Sequence, residues 1–236
     1  MTNKKNFWVL TPQNMKRRMV NIERELSECE KNVDKLHVRI SGGNTKLGNI
    51  PSVSLIPVID CGNCSQCARS CYDLRSDMIY KQSIKARCCN SVILRHDPER
   101  YFKEIEAFLT WQYPRAFRWH IGGDIKDVQY LDNMVRIAES HKEIVFLCFT
   151  KMFHVVNEYL DGGKTFPLNF HLLFSGWNGL DMPNPHDLPT AHVILPNGTS
   201  APDGTRLCTG NCTECMRKNR LCWSIGSGES VGFIAH

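Results

Sequence analysis

Apolar residues recur along this chain at two periods, and the switch between them outlines the fold. Over residues 12–36, Ile22, Leu26, Cys29, Val33 and Leu36 return at intervals of three and four, the spacing of one helical face. Thr11-Pro12 supplies the start, with proline in the first turn. Cys29 falls on the apolar face and reads as core rather than ligand. Residues 73–95 read as a second helix, with Met78, Ile79, Ile84, Val92 and Leu94 apolar and the adjacent Cys88 and Cys89 as packing residues. Asp97-Pro98-Glu99 opens a third helix running to about Trp111, Asp127 caps a fourth through His141, and a fifth ends near Leu160.

Between these segments lie short apolar runs of strand length. They are 52–59, 118–121, 144–149, 170–174, 191–195 and 230–235, with Pro57 restricting the ladder of the first. Ser41-Gly42-Gly43-Asn44-Thr45 reads as a turn, and Met182–Pro189 as a proline-rich loop. Strands alternating with helices predict an α/β fold with a mainly parallel sheet and crossover helices. Functional sites in such folds form at the carboxyl ends of the strands. Three motifs fall there: a cysteine loop after the first strand, Gly122-Gly123-Asp124 after the second, and Thr150-Lys151 after the third.

Composition changes this picture little. The chain has 236 residues, 42% hydrophobic and 22% charged, enough to bury a core without help from metal or disulfides. The net charge of +5 is too mild to mark a nucleic-acid binder, and Lys16-Arg17-Arg18, followed by Glu23, Glu25 and Glu28, reads as a solvated helix face. Neither a signal-peptide pattern nor a membrane-length apolar run is visible, so a cytoplasmic protein with reduced thiols and no membrane partner is expected. Asn197-Gly198-Thr199 and Asn211-Cys212-Thr213 are then chance matches to a glycosylation pattern. No hydrolase triad, phosphate-binding P-loop or zinc-protease motif is present.

The cysteines do change it. Cys61, Cys64, Cys67 and Cys71 have the spacing C-x2-C-x2-C-x3-C, which favours an iron–sulfur cluster over zinc. Cys208, Cys212, Cys215 and Cys222 form a second group, flanked by Arg206, Arg217, Lys218 and Arg220, whose spacing suits either a second [4Fe-4S] cluster or zinc. His236 is a further ligand candidate.

A cysteine loop ending in Cys71-Tyr72, followed by Gly122-Gly123-Asp124 after the next strand, resembles the radical S-adenosylmethionine superfamily. The resemblance implies a partial parallel (β/α)6-type barrel, a [4Fe-4S] cluster at its mouth and S-adenosylmethionine bound there, its amino group received by Gly122, Gly123 and Asp124. Cys64, Cys67 and Cys71 are the first ligands, with Cys61 a fourth. A cluster held by all four would be closed and serve a redox or structural role instead. More closely, the chain is similar to a phage-encoded family known as gene product 88, over roughly Asn44 to the C-terminus. That origin would place it in the cytoplasm of a bacterial host.

Further rim candidates are His120, Ser175, Gly176 and Trp177, with Lys151 placed to meet a carboxylate or phosphate. The sequence thus predicts an N-terminal helical extension (1–40), a partial α/β barrel with the cluster loop (41–200) and a cysteine-rich metal-binding segment (201–236). The expected function is that of an iron–sulfur protein resembling radical S-adenosylmethionine enzymes, with a small-molecule or macromolecular substrate and an electron donor as partners. The alternatives are a zinc-stapled nucleic-acid binder and a non-catalytic iron–sulfur module.

Overall fold

Capping residues set the helix starts much as the sequence predicts. In a computed structural model, which describes residues 9–62, 67–76, 80–195, 201–218 and 221–234, Thr11 opens α1 (Pro12–Glu30) by accepting the Asn14 N–H at 3.2 Å. The helix stops short of residue 36 because Asn32 turns its side-chain amide onto the Glu28 carbonyl at 3.3 Å, and a 3-10 turn over Val33–Lys35 takes up the remainder. The segment expected as one helix over 73–95 is a short α2 (Tyr72–Ser76) and a longer α3 (Lys81–His96). Asp97 caps α4 (Pro98–Gln112), which ends in the left-handed Tyr113 just before Pro114. Asp127 accepts the Tyr130 N–H at 2.7 Å to start α5 (Val128–Ser140), and α6 (Phe153–Asp161) follows the next strand.

The described strands form one eight-stranded mixed sheet. β1 (Ile40–Ser41) lies antiparallel on its edge against β2 (Ser52–Val53). β3 (Ala116–Trp119), β4 (Val145–Thr150), β5 (Phe170–Ser175) and β6 (Thr190–Ile194) then follow in chain order, each parallel to the one before. β8 (Ser230–Ile234) pairs with β6, and the short β7 (Arg206–Leu207) lies outside β8. The run expected as a strand over 52–59 keeps the ladder only to Val53. Beyond it Pro57 and a left-handed Val58 turn the chain, and the Asp60 carboxylate accepts the Ile56 N–H at 3.0 Å to close the turn.

Because β2 to β6 are added in one direction without reversal, their crossovers fall on one face. That face carries the main core, where Phe117, Trp119, Phe146, Phe174 and Leu172 pack under α4, α5 and α6. On the opposite face Ala116, Leu147, Leu173, Ala191 and Val231 are covered by Leu47, Ile50 and the C-terminal segment, where α7 (Cys212–Lys218) and a 3-10 turn over Leu221–Trp223 bury Cys215, Cys222 and Trp223. This second face is concave. Phe149 on β4 and Phe233 on β8 meet edge-to-face at 5.6 Å between ring centroids. Three strand steps separate them, about 14 Å across a flat sheet, more than two such side chains standing off a flat surface can bridge. A third cluster joins α1 to α3 through Ile22, Cys29, Cys88, Cys89 and Val92, and reaches Ile56 and Leu74 beside the first cysteine loop.

Candidate functional site

The carboxyl ends of β3, β4 and β5 come together around one buried aspartate. Asp124 follows β3 in the Gly122-Gly123-Asp124 turn and is 6% exposed. Its carboxylate accepts the Thr150 hydroxyl at 2.6 Å, the Lys151 N–H at 2.8 Å and the Ile125 N–H at 2.8 Å. Burial raises its pKa above the ordinary carboxylate value, and these donors work in the opposite direction. Thr150 in turn accepts the Met152 N–H at 2.9 Å, which fixes the entry into α6. The result orients Lys151, whose ammonium donates to Ser175 Oγ at the end of β5 at 3.0 Å. Both Lys151 and Ser175 are half-buried and reach solvent.

The two glycines are there for the protein's own chain. A methyl group on Gly122 would lie 1.8 Å from the Asp73 carboxylate, and one on Gly123, which has φ +75°, would lie 2.5 Å from Leu55 Cβ. Asp73 belongs to α2, directly after Cys71-Tyr72, and forms a buried ion pair with Arg87 of α3. Leu55 donates its N–H to the Gly122 carbonyl at 2.9 Å, and the Tyr72 hydroxyl donates to the Ile121 carbonyl at 2.9 Å. The turn therefore clamps the cysteine loop to the end of β3.

His120 occupies the position just before this turn in a left-handed conformation, φ +51°, which is uncommon outside glycine and asparagine. That kink breaks the alternation of the strand. Trp119 and His120 both turn toward the helical layer, and the imidazole lies 5.5 Å from the Tyr130 ring of α5. It is 2% exposed, and among the described residues neither ring nitrogen has a hydrogen-bond partner. Burial, reinforced by the nearby Arg118 charge, lowers its pKa to about 3, so the ring is neutral at physiological pH. Nearby, the Asp60 carboxylate gathers Arg95 at 3.0 Å, Lys126 at 3.3 Å and the Ser91 hydroxyl, and its backbone carbonyl accepts the Asp124 N–H of the turn at 2.9 Å.

On the concave face the cations are organised by aromatic rings. The Arg118 guanidinium lies 4.1 Å from the centroid of Phe149, and the Lys46 ammonium 4.4 Å from that of Phe233. Arg118 also donates to the carbonyls of Trp119 and His120, at 2.9 and 3.2 Å. Together with the Phe149–Phe233 contact, this makes a continuous stack from β3 to the segment before β2.

Cysteine placement departs from the expectation. Cys61 ends the turn after β2, where its sulfur accepts the Val58 N–H at 3.2 Å. Cys67 precedes a 3-10 turn over Ala68–Ser70, Cys71 follows it, and Cys64 lies outside the described residues, as does His236. Burial and the neighbouring Asp73 charge push the Cys71 thiol up to about 12, so it stays protonated. In the second group Cys215 and Cys222 are buried within the apolar cover of the sheet, with Cys208 and Cys212 packed against it. These four thiols lie within electrostatic reach of one another, and burial followed by the Cys208 charge pushes Cys222 up to about 12.

Among the described residues, no group of three or more His, Cys, Asp or Glu side chains is placed to hold a metal ion. This overturns the expected [4Fe-4S] cluster on Cys61, Cys64, Cys67 and Cys71, and the second cluster or zinc on Cys208, Cys212, Cys215 and Cys222. The expected iron–sulfur function falls with it, as do its zinc-stapled and non-catalytic iron–sulfur alternatives and the S-adenosylmethionine that an open iron would have held. At Cys71, Cys212, Cys215 and Cys222 the physical reason is burial, which raises each thiol's pKa. Thiols packed into apolar surroundings are kept protonated and serve as small hydrophobic side chains, whereas ligands must be thiolates.

Fold and site together define an α/β protein whose parallel strands β2 to β6 run in chain order and whose carboxyl ends carry a pinned Asp-Thr-Lys constellation. A family model described as Gene product 88 matches residues 26–191, and the chain belongs to that family. The match includes the last turn of α1 and stops before the second cysteine group, whereas the sequence suggested a similarity from about Asn44 to the C-terminus. Nothing in the comparisons supports the resemblance to radical S-adenosylmethionine enzymes. No curated protein and no solved structure matches the chain. Among the described residues no helix is long and apolar enough to cross a membrane.

Sequence reasoning singled out Gly122, Gly123, Asp124, Thr150, Lys151 and Ser175, and the structure brings these together. Gly176, after β5, packs close to His192, with 3.2 Å from its would-be methyl group to Nδ1, and the half-buried Trp177 follows it. Arg118 and Asp60 were missed. A charged residue in an otherwise apolar strand, and an aspartate directly after a proline-broken run, were the available signals.

Proposed function

We propose that this protein binds a small anionic molecule, one carrying a phosphate or carboxylate group, at the carboxyl ends of β3, β4 and β5, with Lys151 as its charge partner. The observation that carries this reading is the pinning of Lys151. Its backbone is tied to buried Asp124 and its ammonium to Ser175, so a cation is held in one place at the junction of three strand ends. An ammonium carries three donors, and a preset direction reduces the entropy lost on binding. Arg118 adds positive charge from the neighbouring strand, and the Asp124 charge is buried beneath the rim. Asp124 itself, its oxygens already engaged by the chain, is a positioning residue.

The chain-order sheet, the helices on one face and the concave opposite face also support a partial barrel, whose mouth is this rim. A small-molecule ligand fits such a mouth better than a macromolecule does.

Titration of isotope-labelled protein with inorganic phosphate tests the proposal. Saturable amide shifts are expected at Lys151, Met152, Ser175 and Gly176, and are expected to vanish in Lys151→Met. Asp124→Asn should weaken binding roughly tenfold, the equivalent of about 1.4 kcal/mol, by loosening the lysine's support. Shifts that are scattered and non-saturable, or binding unchanged in Lys151→Met, would refute it.

A further inference from the structure

Two cysteines outside both sequence groups have their sulfurs in direct contact. Cys29, in the last turn of α1, and Cys89, in the middle of α3, place their sulfurs 3.5 Å apart across the interface of the two helices, 60 positions apart in the chain. Both are buried, at 5% and 1% exposure. The neighbouring Cys88 points elsewhere, its sulfur 3.8 Å from the Ile22 carbonyl, so the alignment is specific to Cys89. A disulfide bond is about 2.05 Å long. The remaining gap is about 1.5 Å.

We propose that Cys29 and Cys89 are a modification site, oxidised by a peroxide to a disulfide that locks α1 onto α3. The Cys29 thiolate attacks one peroxide oxygen, breaking the O–O bond and giving a sulfenic acid and hydroxide, which takes up the proton the thiol released. The Cys89 sulfur then attacks the sulfenic sulfur, forming the S–S bond, and its proton leaves with the departing oxygen as water. Two thiols and one hydrogen peroxide become one disulfide and two waters, the two electrons passing from sulfur to peroxide. Burial, with the Cys89 contact adding to it, pushes the Cys29 thiol up to about 12, so the first step is slow and needs a small oxidant.

The consequence reaches beyond the pair. The cluster around Cys29 and Cys89 includes Ile56 and Leu74, with Val58, Ile59 and Cys71 packed against it. These residues flank the first cysteine loop, so α1 is the cover over one side of that loop. A covalent link fixes the cover in place.

The test treats the reduced full-length chain with hydrogen peroxide, then digests it with trypsin without reduction. Expected is a linked pair of peptides spanning 25–31 and 88–95, with fragmentation placing the bond at Cys89, and a rise in melting temperature on the order of 10 °C. Cys29→Ser should abolish both, and Cys88→Ser should keep both. The proposal is overturned if Cys29 remains a free thiol while other cysteines oxidise, if the bond runs through Cys88, or if Cys29→Ser shows the same melting shift.

Discussion

Replacing His120 with asparagine should flatten the acid arm of this protein's stability curve. Asparagine tolerates the left-handed backbone that position 120 requires and does not titrate. In the native chain the imidazole is 2% exposed and its pKa is lowered to about 3, against an ordinary value of 6.5. The unfolded chain therefore takes up a proton as pH falls below about 6.5, while the folded chain does not. Stability is complete above that pH and is lost progressively as pH falls toward the folded value. At about pH 4.5 the loss is roughly 2.7 kcal/mol, two pH units at about 1.36 kcal/mol each, and the full shift would give about 4.8 kcal/mol. Other groups do not mimic this window. Asp60 and Glu104, whose pKa values are lowered, lose their contribution only in the more acidic carboxylate range. His171 and His192 are lowered by burial and act with the same sign, and Asp124, raised by burial, acts with the opposite sign, but all three are common to both proteins. Urea denaturation at several pH values between about 7.5 and 4.5 measures the difference. Parallel curves for the native and asparagine chains would show that His120 is not held neutral by burial.

Two substitutions probe the scaffold. Gly122→Ala places a methyl group 1.8 Å from the Asp73 carboxylate and disturbs its buried pairing with Arg87, so a loss of about 3 kcal/mol is expected in urea unfolding, whereas Gly42→Ala, with nothing within 4 Å, should stay within about 0.5 kcal/mol. Trp223→Ala empties a 3% exposed site between the C-terminal segment and the sheet, which should cost about 3–5 kcal/mol and speed proteolysis within residues 201–234 ahead of the core.

The parts of this structure that the sequence discloses are those decided by neighbours in the chain. Thr11-Pro12, Asp97-Pro98 and Asp127 cap helices where expected, because a cap is made by residues two or three positions away. The apolar runs over 144–149, 170–174 and 191–195 become β4, β5 and β6 within a residue or so, since a strand buried on both faces is apolar throughout. What stayed hidden depends on distant partners. β1 and β7 are two-residue edge strands that exist only through their pairing with β2 and β8. The left-handed His120 has no local signature. For the site, Gly122-Gly123-Asp124 and Thr150-Lys151 were legible as strand-end motifs, but their roles were not. The glycines accommodate Asp73 and Leu55, and the aspartate serves Thr150 and Lys151, relations across 26 to 68 positions that spacing cannot show. The cysteine spacings misled because ligand and packing roles share one residue type, and burial decides between them.

The seat of β8 between β6 and β7 has a bearing on how the molecule is made. Until residues 201–234 have left the ribosome, Leu147, Leu173 and Ala191 lack the cover that Cys215, Leu221, Cys222 and Trp223 supply. The nascent chain can raise its helical side early, yet it carries an adhesive, unfinished interior until synthesis of this region ends. A chain cut off after β6 would therefore be expected to aggregate rather than to persist as a smaller working unit.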